Sequence, residues 1–389
     1  MRVLALGASG EYGKHAAKIL ASSNLVSEII IAGRNLESAQ KCAKEIGEKA
    51  KAVSVDISDH ERLISLAGEA DIIVNTAGPE FEVTLKTLRA AITAGTNYCD
   101  ISADGPTIEQ ALGLDSAAKA NDVTALLGIG MFPGLTNLLM MHAISQLDSA
   151  DEVRSCFFLS ASVLEDTNER LRQYRGTGLV GAAWQMIMKW PTPPFNIYRG
   201  GALTKVGSKA EEMKIAMPGN GDIPAVLVGS TETITMPRAV PELRDVHAFI
   251  SWFPFQLNHH YAELGQKVNE GRMDLSKAAL AFLDSIKIEF DRKQAVLPEY
   301  LGEFAIWAEA IGKKNGRSTR YSCWPASGWA STGTPLAVAS LKILGGEIEK
   351  HGILAPESCL DPLPFFNEVA RRVLKTDEPG KILNESWTN

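Results

Sequence analysis

Three glycines near the N-terminus have a spacing that suits the binding of an anion. They stand between an apolar run and a helical pattern, in the segment Gly7-Ala8-Ser9-Gly10-Glu11-Tyr12-Gly13. A helix that opens at such a turn presents free N–H groups and a positive dipole end, and a pyrophosphate can bind there if no side chain blocks the backbone. The sequence therefore predicts dinucleotide contacts along this segment. A tight turn between a packed strand and helix is the alternative.

The end of the second predicted strand indicates which cofactor would bind. An NAD site has Asp or Glu about 20 residues after the glycines, where the carboxylate holds the ribose hydroxyls. This chain reads Gly33-Arg34-Asn35 at that point, with no acid. A guanidinium suits the additional 2′-phosphate of NADP through charge-assisted hydrogen bonds. We therefore predict NADP as the cofactor, with Arg34 and Asn35 beside it; a solvated arginine at a turn is the alternative.

Two further strand ends predict contacts along the cofactor. Asp56 and Ile57 end the third predicted strand, near the expected position of adenine. The segment Thr76-Ala77-Gly78-Pro79 ends the fourth, where small residues let the backbone approach the second ribose and the nicotinamide. A plain strand-to-helix turn would also explain this segment.

Acidic and phenolic groups lie at the end of the fifth predicted strand, on the edge where nicotinamide is expected. Oxidation or reduction at a C–N or C–O bond needs a group that moves a proton. We predict Tyr98, Asp100 and Asp104 as the candidates, because burial can raise a carboxyl pKa toward the working range. Asp100 could instead orient its loop through backbone hydrogen bonds.

Strands and helices alternate through the first 130 residues. Predicted strands lie at 2–6, 28–33, 51–56, 71–75, 97–101 and 122–129. Helical patterns lie between them, at 11–22, 36–46, 59–67, 81–94 and 106–120. This alternation predicts an α/β fold, with a doubly wound parallel sheet in a Rossmann domain over residues 1–130.

The pattern changes after Gly130. Strands then group with few helices between them, which predicts a second, α+β domain over 131–350 with a mainly antiparallel sheet. Its predicted strands are 152–162, 231–237, 245–252, 286–290 and 317–324, and its predicted helices are 135–147, 275–285, 299–312 and 335–350. The remaining segment, 351–389, has a helical pattern at 363–375 that could return to the Rossmann domain.

Composition narrows the class of protein. The 389 residues are 45% hydrophobic and 22% charged, as in ordinary globular proteins. A net charge of −7 argues against nucleic acid or an anionic membrane as partner. No apolar run reaches membrane-spanning length and no signal peptide is recognisable, so we expect a cytoplasmic protein. Cysteine and histidine spacings predict no metal site.

Six motifs together resemble the saccharopine dehydrogenase family, which comprises the glutamate-forming saccharopine reductases and their relatives. The motifs are GASGEYG, IAGRN, NTAGP, NYCDIS, GMFPGLTN and GTPLAVASLKILGGEIEKHGILAPES. The resemblance implies a Rossmann domain, a substrate and dimerisation domain, a homodimer, and NAD(P)-linked chemistry at the C–N bond of an amino acid adduct. It is weakest over residues 163–230.

Two motifs depart from the family pattern. The family's DISGE stands here as Asp100-Ile-Ser-Ala-Asp104, which keeps the acidity. Its Gly-x-Asp-Pro-Gly turn stands as Gly130-Met-Phe132-Pro-Gly134. Phe132 thus replaces an acid that could meet a substrate amine, and this favours a less polar substrate.

Three functions stay open. The leading one is NADP-dependent hydride transfer to or from the C–N bond of an amino-acid-derived imine or secondary amine. Asn137, Arg238 and Phe132 are its predicted substrate contacts, although Arg238 could instead pair with an acid at a dimer interface. A reductase of an apolar carbonyl or enoyl substrate is the second, and an NADPH-binding protein without catalysis is the third. No tyrosine has a lysine four residues on, which excludes the YxxxK proton donor of short-chain dehydrogenases.

Overall fold

The structure is a computed structural model that describes residues 1–161, 180–217, 221–292, 304–326 and 328–388. The chain divides into two compact units. The first comprises Met1–Leu138 and Ser331–Pro379, and the second comprises Leu139–Ala330 and Gly380–Asn389. Each unit is built around a β-sheet of its own.

The first unit contains a parallel sheet of seven strands. The strands are β1 (Arg2–Leu6), β2 (Glu28–Gly33), β3 (Ala50–Ser54), β4 (Ile72–Asn75), β5 (Asn97–Asp100), β6 (Thr124–Leu126) and β15 (Gly352–Leu354). Their order is β15-β6-β5-β4-β1-β2-β3, so the direction of winding reverses between β1 and β4. Every pairing in this sheet is parallel, which confirms the predicted Rossmann topology.

Helices connect the strands of the first unit. They are α1 (Glu11–Ser22), α2 (Leu36–Ile46), α3 (His60–Ala67), α4 (Glu80–Ala94), α5 (Gly105–Leu112), α6 (Asp115–Ala120), α12 (Gly333–Leu344), α13 (Pro356–Cys359) and α14 (Pro362–Leu374). The helix predicted over 106–120 is two helices, because the chain breaks at Gly113 and Leu114. Another helix, α7 (Leu135–Ser145), begins in the first unit and ends in the second.

The chain returns to the first unit at Ser331. Strand β15 adds to β6, with Gly352 opposite Thr124. Helix α12 packs on α1, where Thr334 Oγ1 lies 2.9 Å from His15 Nε2. Almost every residue of α12 is buried, so it is a core helix of the first unit. The boundary predicted at 350 therefore differs from the structure, which makes the return some twenty residues earlier.

The second unit contains a nine-stranded sheet. Its strands are β7 (Ser149–Ser160), β8 (Phe195–Arg199), β9 (Ala202–Val206), β10 (Glu212–Met217), β11 (Gly221–Leu227), β12 (Asp245–Phe253), β13 (Phe304–Lys314), β14 (Arg317–Pro325) and β16 (Leu383–Thr388). The main path is β10-β11-β12-β7-β13-β14-β16, and β8 pairs with β12 and β9. Only β7 and β12 pair in parallel among the described strands, which confirms the mainly antiparallel sheet.

Four helices complete the description of the second unit: α8 (Ala182–Lys189), α9 (Glu232–Ala239), α10 (Gln256–Asn269) and α11 (Leu275–Asp291). Two strands predicted here are wrong, because 231–237 lies in α9 and 286–290 lies in α11. Buried residues of α11 recur at helical spacing from Ala278 to Ile286, and this packing overrides the β propensity of its isoleucines.

The helix predicted over 299–312 is also wrong where the structure describes it, since the chain from 304 onward forms β13. Residues 306–310 of this strand are all buried, so both faces are covered. A strand of this kind shows no alternation of apolar and polar residues and cannot be distinguished from a buried helix by its pattern. Residue 162 of the strand predicted at 152–162 lies outside the described residues.

Candidate functional site

A cleft of about 410 Å³ lies in the first unit, at the carboxyl ends of β1 to β4 and beside α4. Ten of the fifteen predicted cofactor residues line it: Gly7, Ser9, Gly10, Arg34, Asp56, Ile57, Thr76, Ala77, Gly78 and Pro79. The other five adjoin these residues without lining the cleft: Ala8 and Asn35 lie in the turns, and Glu11, Tyr12 and Gly13 lie in the first turn of α1. The strand ends thus meet as the Rossmann topology predicts, at the point where winding reverses.

The three glycines of the first turn have different structural roles. Gly7 has a φ of +74°, and a Cβ there would collide with the backbone nitrogen of Ala77. A Cβ on Gly13 would lie only 2.7 Å from Ala8 Cα and would also collide with the Thr76 hydroxyl. Gly10 has an ordinary φ of −77°, and a Cβ there would meet one protein atom, Gly7 O, at 3.3 Å. The fold therefore requires Gly7 and Gly13, whereas Gly10 keeps its side of the cleft open.

Helix α1 begins at this turn without a side-chain cap. Gly10 is its N-cap residue and supplies no side-chain cap, and Glu11 is an acid in the first turn. Gly10 N donates to Gly7 O at 2.9 Å, and Lys14 N donates to Gly10 O at 2.9 Å. Gly10 also lines the cleft, so α1 begins at the cleft with backbone N–H groups that its N-cap residue does not bind, an arrangement that suits a phosphate.

Two exposed cations line one end of the cleft, Arg34 after β2 and Lys86 on α4. The charges of both act on Asp56, a carboxylate that also lines the cleft. The pKa of Asp56 lies below its usual value, chiefly because Ser58 donates from its backbone and hydroxyl, and to a lesser extent because of Arg34 and Lys86. This end of the cleft can therefore hold an anion between a guanidinium and an ammonium group.

Sequence reasoning missed Lys86 because it comes from a helix rather than from a strand end. A signal was present in the sequence. Glu82, Val83 and Lys86 follow one another at the spacing of one helix face, directly after the segment that ends β4. All three line the cleft.

A buried hydrogen-bond network joins β4, α4 and β5, directly before the segment that lines the cleft after β4. The Tyr98 hydroxyl lies 2.9 Å from Thr87 Oγ1, accepts from Asn75 Nδ2 at 2.9 Å and donates to Asp100 Oδ2 at 3.1 Å. Tyr98 has no exposed surface. Burial and the neighbouring Asp100 raise its pKa well above the usual value. These contacts favour a structural role for Tyr98, and its predicted part in proton transfer stays a prediction.

Asp100 and Asp104 each serve the backbone. Asp100 Oδ1 accepts from the N–H groups of Ser102 at 3.0 Å and Gly128 at 2.9 Å. Asp104 caps α5, where its Oδ2 accepts from Thr107 N at 3.1 Å and Thr107 Oγ1 at 2.6 Å. Burial raises the pKa of Asp100 to about 6 in spite of these bonds. The geometry thus supplies the loop-orienting alternative for Asp100, and the catalytic assignments stay predictions.

Glu80 is a carboxyl group near Asp100 and Asp104 that sequence reasoning missed. It is the first residue of α4 and follows Pro79, which lines the cleft. Its Oε2 is buried and has no hydrogen-bond partner among the described residues. Burial, followed by the charges of Asp100 and Asp104, raises the pKa of Glu80 to about 8. An acid in the first turn of a helix normally indicates only a favourable dipole interaction, so its burial could not be read from the sequence.

Comparison with known families identifies the first unit. Residues 3–126 match the sequence model described as the saccharopine dehydrogenase NADP binding domain. They form a saccharopine dehydrogenase NADP-binding domain. The family consists of NAD(P)-dependent oxidoreductases, and its domain contains the glycine turn, Arg34, Lys86 and the residues after β4 and β5.

Curated relatives of this NADP-binding domain carry more than one activity in their names. The chain is 30% identical to a trans-acting enoyl reductase of Mycobacterium leprae over 26% of this chain and 25% of the relative. It is 27% identical to a carboxynorspermidine synthase of Vibrio alginolyticus over 39% of this chain and 42% of the relative. Each match thus spans less than half of the relative's length.

A solved structure has the same fold as the whole chain. It is the apo saccharopine dehydrogenase (L-Glu forming) of Saccharomyces cerevisiae, with a TM-score of 0.65, 17% sequence identity and full coverage of both chains. The saccharopine dehydrogenase fold, with its Rossmann sheet and mixed second sheet, was therefore predicted correctly from the sequence motifs.

The predicted substrate residues do not form one group in the structure. Phe132 is buried, with 7% of its surface exposed, in the first unit with the NADP-binding domain. Asn137, in the same unit, accepts from Gly134 N and donates to Glu357 Oε2, both at 2.9 Å. Arg238 belongs to the second unit and is exposed in the last turn of α9, not after a strand as predicted. Their contact with a substrate stays a prediction.

Other classes of site find no support in the described ranges. They contain no cluster of three or more His, Cys, Asp or Glu side chains that could hold a metal ion. No helix there is long and apolar enough to cross a membrane. The five cysteines are free, and Cys99 is fully buried in β5.

Proposed function

We propose that this protein is an NADP-dependent oxidoreductase that acts at the C–N bond of an amino-acid-derived imine or secondary amine. The cleft carries the cofactor part of the proposal. Its glycine turn leaves room at Gly10 beside an uncapped helix N-terminus, and two cations flank the position expected for the 2′-phosphate. Bound NADPH would supply a hydride from C4 of its nicotinamide ring.

The choice of NADP over NAD rests on charge. Arg34 stands where an NAD site has a carboxylate, and Lys86 adds a second cation from α4. Two acids line the cleft. Asp56 follows β3 rather than β2 and is already engaged by Ser58, and Glu82 lies on α4. Arg34 and Lys86 would bind the 2′-phosphate, and Asp56 would lie beside the adenosine.

The choice of a C–N bond rests on the acidic groups at the other end. Glu80, Asp100 and Asp104 lie close enough together for the two aspartates to raise the pKa of Glu80. An iminium carbon–nitrogen bond carries positive charge, which the charges of Asp100 and Asp104 stabilise while Glu80 is neutral. A neutral enoyl or carbonyl group gains less from negative charge, because its reduction develops negative charge on carbon or oxygen.

A second candidate is a reductase of an apolar enoyl or carbonyl substrate. Phe132 favours it, because an aromatic ring stands where the resembled family has an acid. The trans-acting enoyl reductases among the relatives support this second candidate as well.

A panel of substrates separates these candidates. The purified protein is incubated with NADPH and either 2-oxo acids with amines or enoyl thioesters and ketones, and loss of NADPH absorbance is followed. Turnover that requires both an oxo acid and an amine supports the first candidate. Turnover of an enoyl or carbonyl compound without an amine supports the second. Tight NADPH binding without turnover on any panel would favour a protein that binds the cofactor without catalysis.

The cofactor assignment has a test that needs no substrate. A methyl group at Gly10 meets no obstacle in the fold beyond Gly7 O, but it would intrude on a bound pyrophosphate. Gly10→Ala should weaken NADPH binding by about tenfold or more, with little change in the melting temperature of the cofactor-free protein. Fluorescence titration and thermal unfolding measure both quantities.

Gly68→Ala is the matched control, since its Cβ would make only ordinary contacts with the backbone of α3. It should bind NADPH as the wild type does. A Gly10→Ala protein that melts much lower yet binds NADPH normally would remove the cofactor from this cleft.

The homodimer expected from the resemblance belongs to the same proposal. Sedimentation at micromolar concentration should then give about twice the 42.0 kDa mass of one chain. A monomer throughout that range would contradict it.

A further inference from the structure

Two faces of α4 contact different parts of the first unit. Glu82, Val83 and Lys86 line the cleft. On the neighbouring face, Thr84 Oγ1 donates to Ser102 Oγ at 3.4 Å and Thr87 Oγ1 lies 2.9 Å from the Tyr98 hydroxyl. That second face is therefore fastened to β5 and to the loop that follows it.

Glu80 lies where the two faces begin. It is one turn before Thr84, so it belongs to the face that is fastened to β5. Its preceding residue, Pro79, lines the cleft. In a sheet of this order the dinucleotide crosses the carboxyl edge, with its adenosine over β1 to β3 and its nicotinamide toward β4 and β5. Glu80 is thus at the nicotinamide side of the cleft.

The carboxyl groups at this side differ in what they already bind. Asp100 accepts from two backbone N–H groups, and Asp104 caps α5. Glu80 Oε2 is buried and unpartnered among the described residues, although other parts of the residue are partly exposed. A buried carboxylate oxygen with no partner is costly, so the neutral acid is the favoured form in the absence of a nearby cation.

We propose that Glu80 is a proton site linked to the oxidation state of the cofactor. Its carboxyl is a neutral acid when NADPH occupies the cleft, and it releases its proton to solvent when NADP⁺ binds. The proposal rests on the proposed NADP function of the same cleft. Its physical reason is the charge of the nicotinamide ring, which is positive when oxidised and neutral when reduced. A positive ring beside Glu80 stabilises the carboxylate, and a neutral ring does not.

The electrostatic surroundings of Glu80 agree with this assignment. Asp100 and Asp104 are the charged groups that act on it from the packed elements, and both disfavour its ionisation; its own backbone N–H favours ionisation. With a pKa of about 8, the carboxyl is mostly protonated at pH 7 and lies within reach of a neighbouring positive charge.

Calorimetric titration at pH 7, in buffers with different ionisation enthalpies, counts the protons released on binding. NADP⁺ should release at least about half a proton more than NADPH from the wild-type protein. Both ligands carry the 2′-phosphate, so any protons that this phosphate releases or takes up on binding do not contribute to the difference. In Glu80→Gln, a neutral amide replaces the neutral acid, so the protein should fold and bind both cofactors. The two ligands should then release equal numbers of protons.

Glu61→Gln is the matched control, because Glu61 is an exposed acid in the first turn of α3. It should retain the wild-type difference in proton release. The wild-type protein also provides a test without any variant. Its affinity for NADP⁺ should rise between pH 6 and pH 8, up to about tenfold per unit, while its affinity for NADPH stays flatter.

The outcomes separate the two proposals. Equal proton release for both cofactors in the wild type overturns the role of Glu80 and leaves the cofactor assignment intact. An undiminished difference in Glu80→Gln does the same. Failure of the wild type to bind either cofactor overturns both proposals.

Discussion

The two ends of the site carry charge in different ways. At the exposed end, Arg34 and Lys86 line the cleft. At the buried end, Asp100, Asp104 and the Oε2 atom of Glu80 are buried beside β4 and β5 without lining it. Exposed charges are screened by water and contribute little to the stability of the fold. Buried carboxyls lose their hydration, so their ionisation is coupled to folding. Selectivity for the cofactor can therefore change at one end without affecting stability, whereas any change of charge at the other end affects both.

The largest effect is expected at the exposed end. Arg34→Asp removes a charge-assisted bond, worth about 1.5–3 kcal/mol, and adds repulsion toward a phosphate. NADP affinity should fall by at least about tenfold, while NAD affinity is kept or improved and the melting temperature barely moves. Fluorescence titration with both cofactors measures the change.

Arg89→Asp makes the same change of charge on the exposed surface of α4, outside the cleft, and should leave cofactor preference unaltered. Equal losses of NADP and NAD affinity in Arg34→Asp would show that Arg34 does not distinguish the cofactors. The exposed end would then have no part in the choice between NADP and NAD.

At the buried end, the expected effect is on stability. The pKa of Glu80 is raised to about 8, so the folded protein binds a proton there that the unfolded chain releases near pH 4.5. Stability from this group is fully present below pH 4.5 and is lost as the pH rises toward 8. The free energy of unfolding of Glu80→Gln should exceed that of the wild type by an amount that grows across this window, to on the order of a few kcal/mol.

Urea unfolding of the cofactor-free proteins at pH 5, 6, 7 and 8 measures this difference. Comparison with the variant removes the contributions of other titrating groups, including Asp100. A difference that does not change with pH would mean that Glu80 ionises normally in the folded protein, and that the two ends of the cleft are alike.

A smaller effect is expected for the second cation of the exposed end. Lys86→Ala should weaken NADP binding by about threefold to tenfold, since one solvated ammonium contributes roughly 1 kcal/mol. NAD affinity should not change, because NAD lacks the 2′-phosphate. A loss that is the same for both cofactors would instead indicate contact with the pyrophosphate.

The fold of the first unit was largely predictable, because each of its strands and helices leaves a recognisable pattern in the local sequence. Buried parallel strands gave apolar runs separated by helical patterns, and Gly7 was required by its positive φ and by the approach of Ala77. The second unit was harder. Strand β13 is covered on both faces and lacks alternation, and the isoleucines of α11 favour strands although their packing is helical.

The site residues also divide into those that were predictable from the sequence and those that were not. Arg34 and Asp56 lie at strand ends, so topology alone predicted that they would meet in one cleft. Glu80 was missed because its environment depends on how α4 packs against the loop after β5, through Thr84 and Ser102. The sequence around Glu80 does not indicate that contact.

The late return of the chain to the first unit has a consequence for biosynthesis. Helix α12 and strand β15 complete the first unit, but the ribosome makes them after the whole of the described second sheet except β16. Until then, the apolar surface of α1 that α12 covers is exposed, and β6, paired with β5 on one side, has a free outer edge. The N-terminal segment alone therefore cannot complete the Rossmann unit. The nascent chain exposes this apolar surface and this strand edge until α12 and β15 are made, and such an intermediate is prone to aggregation.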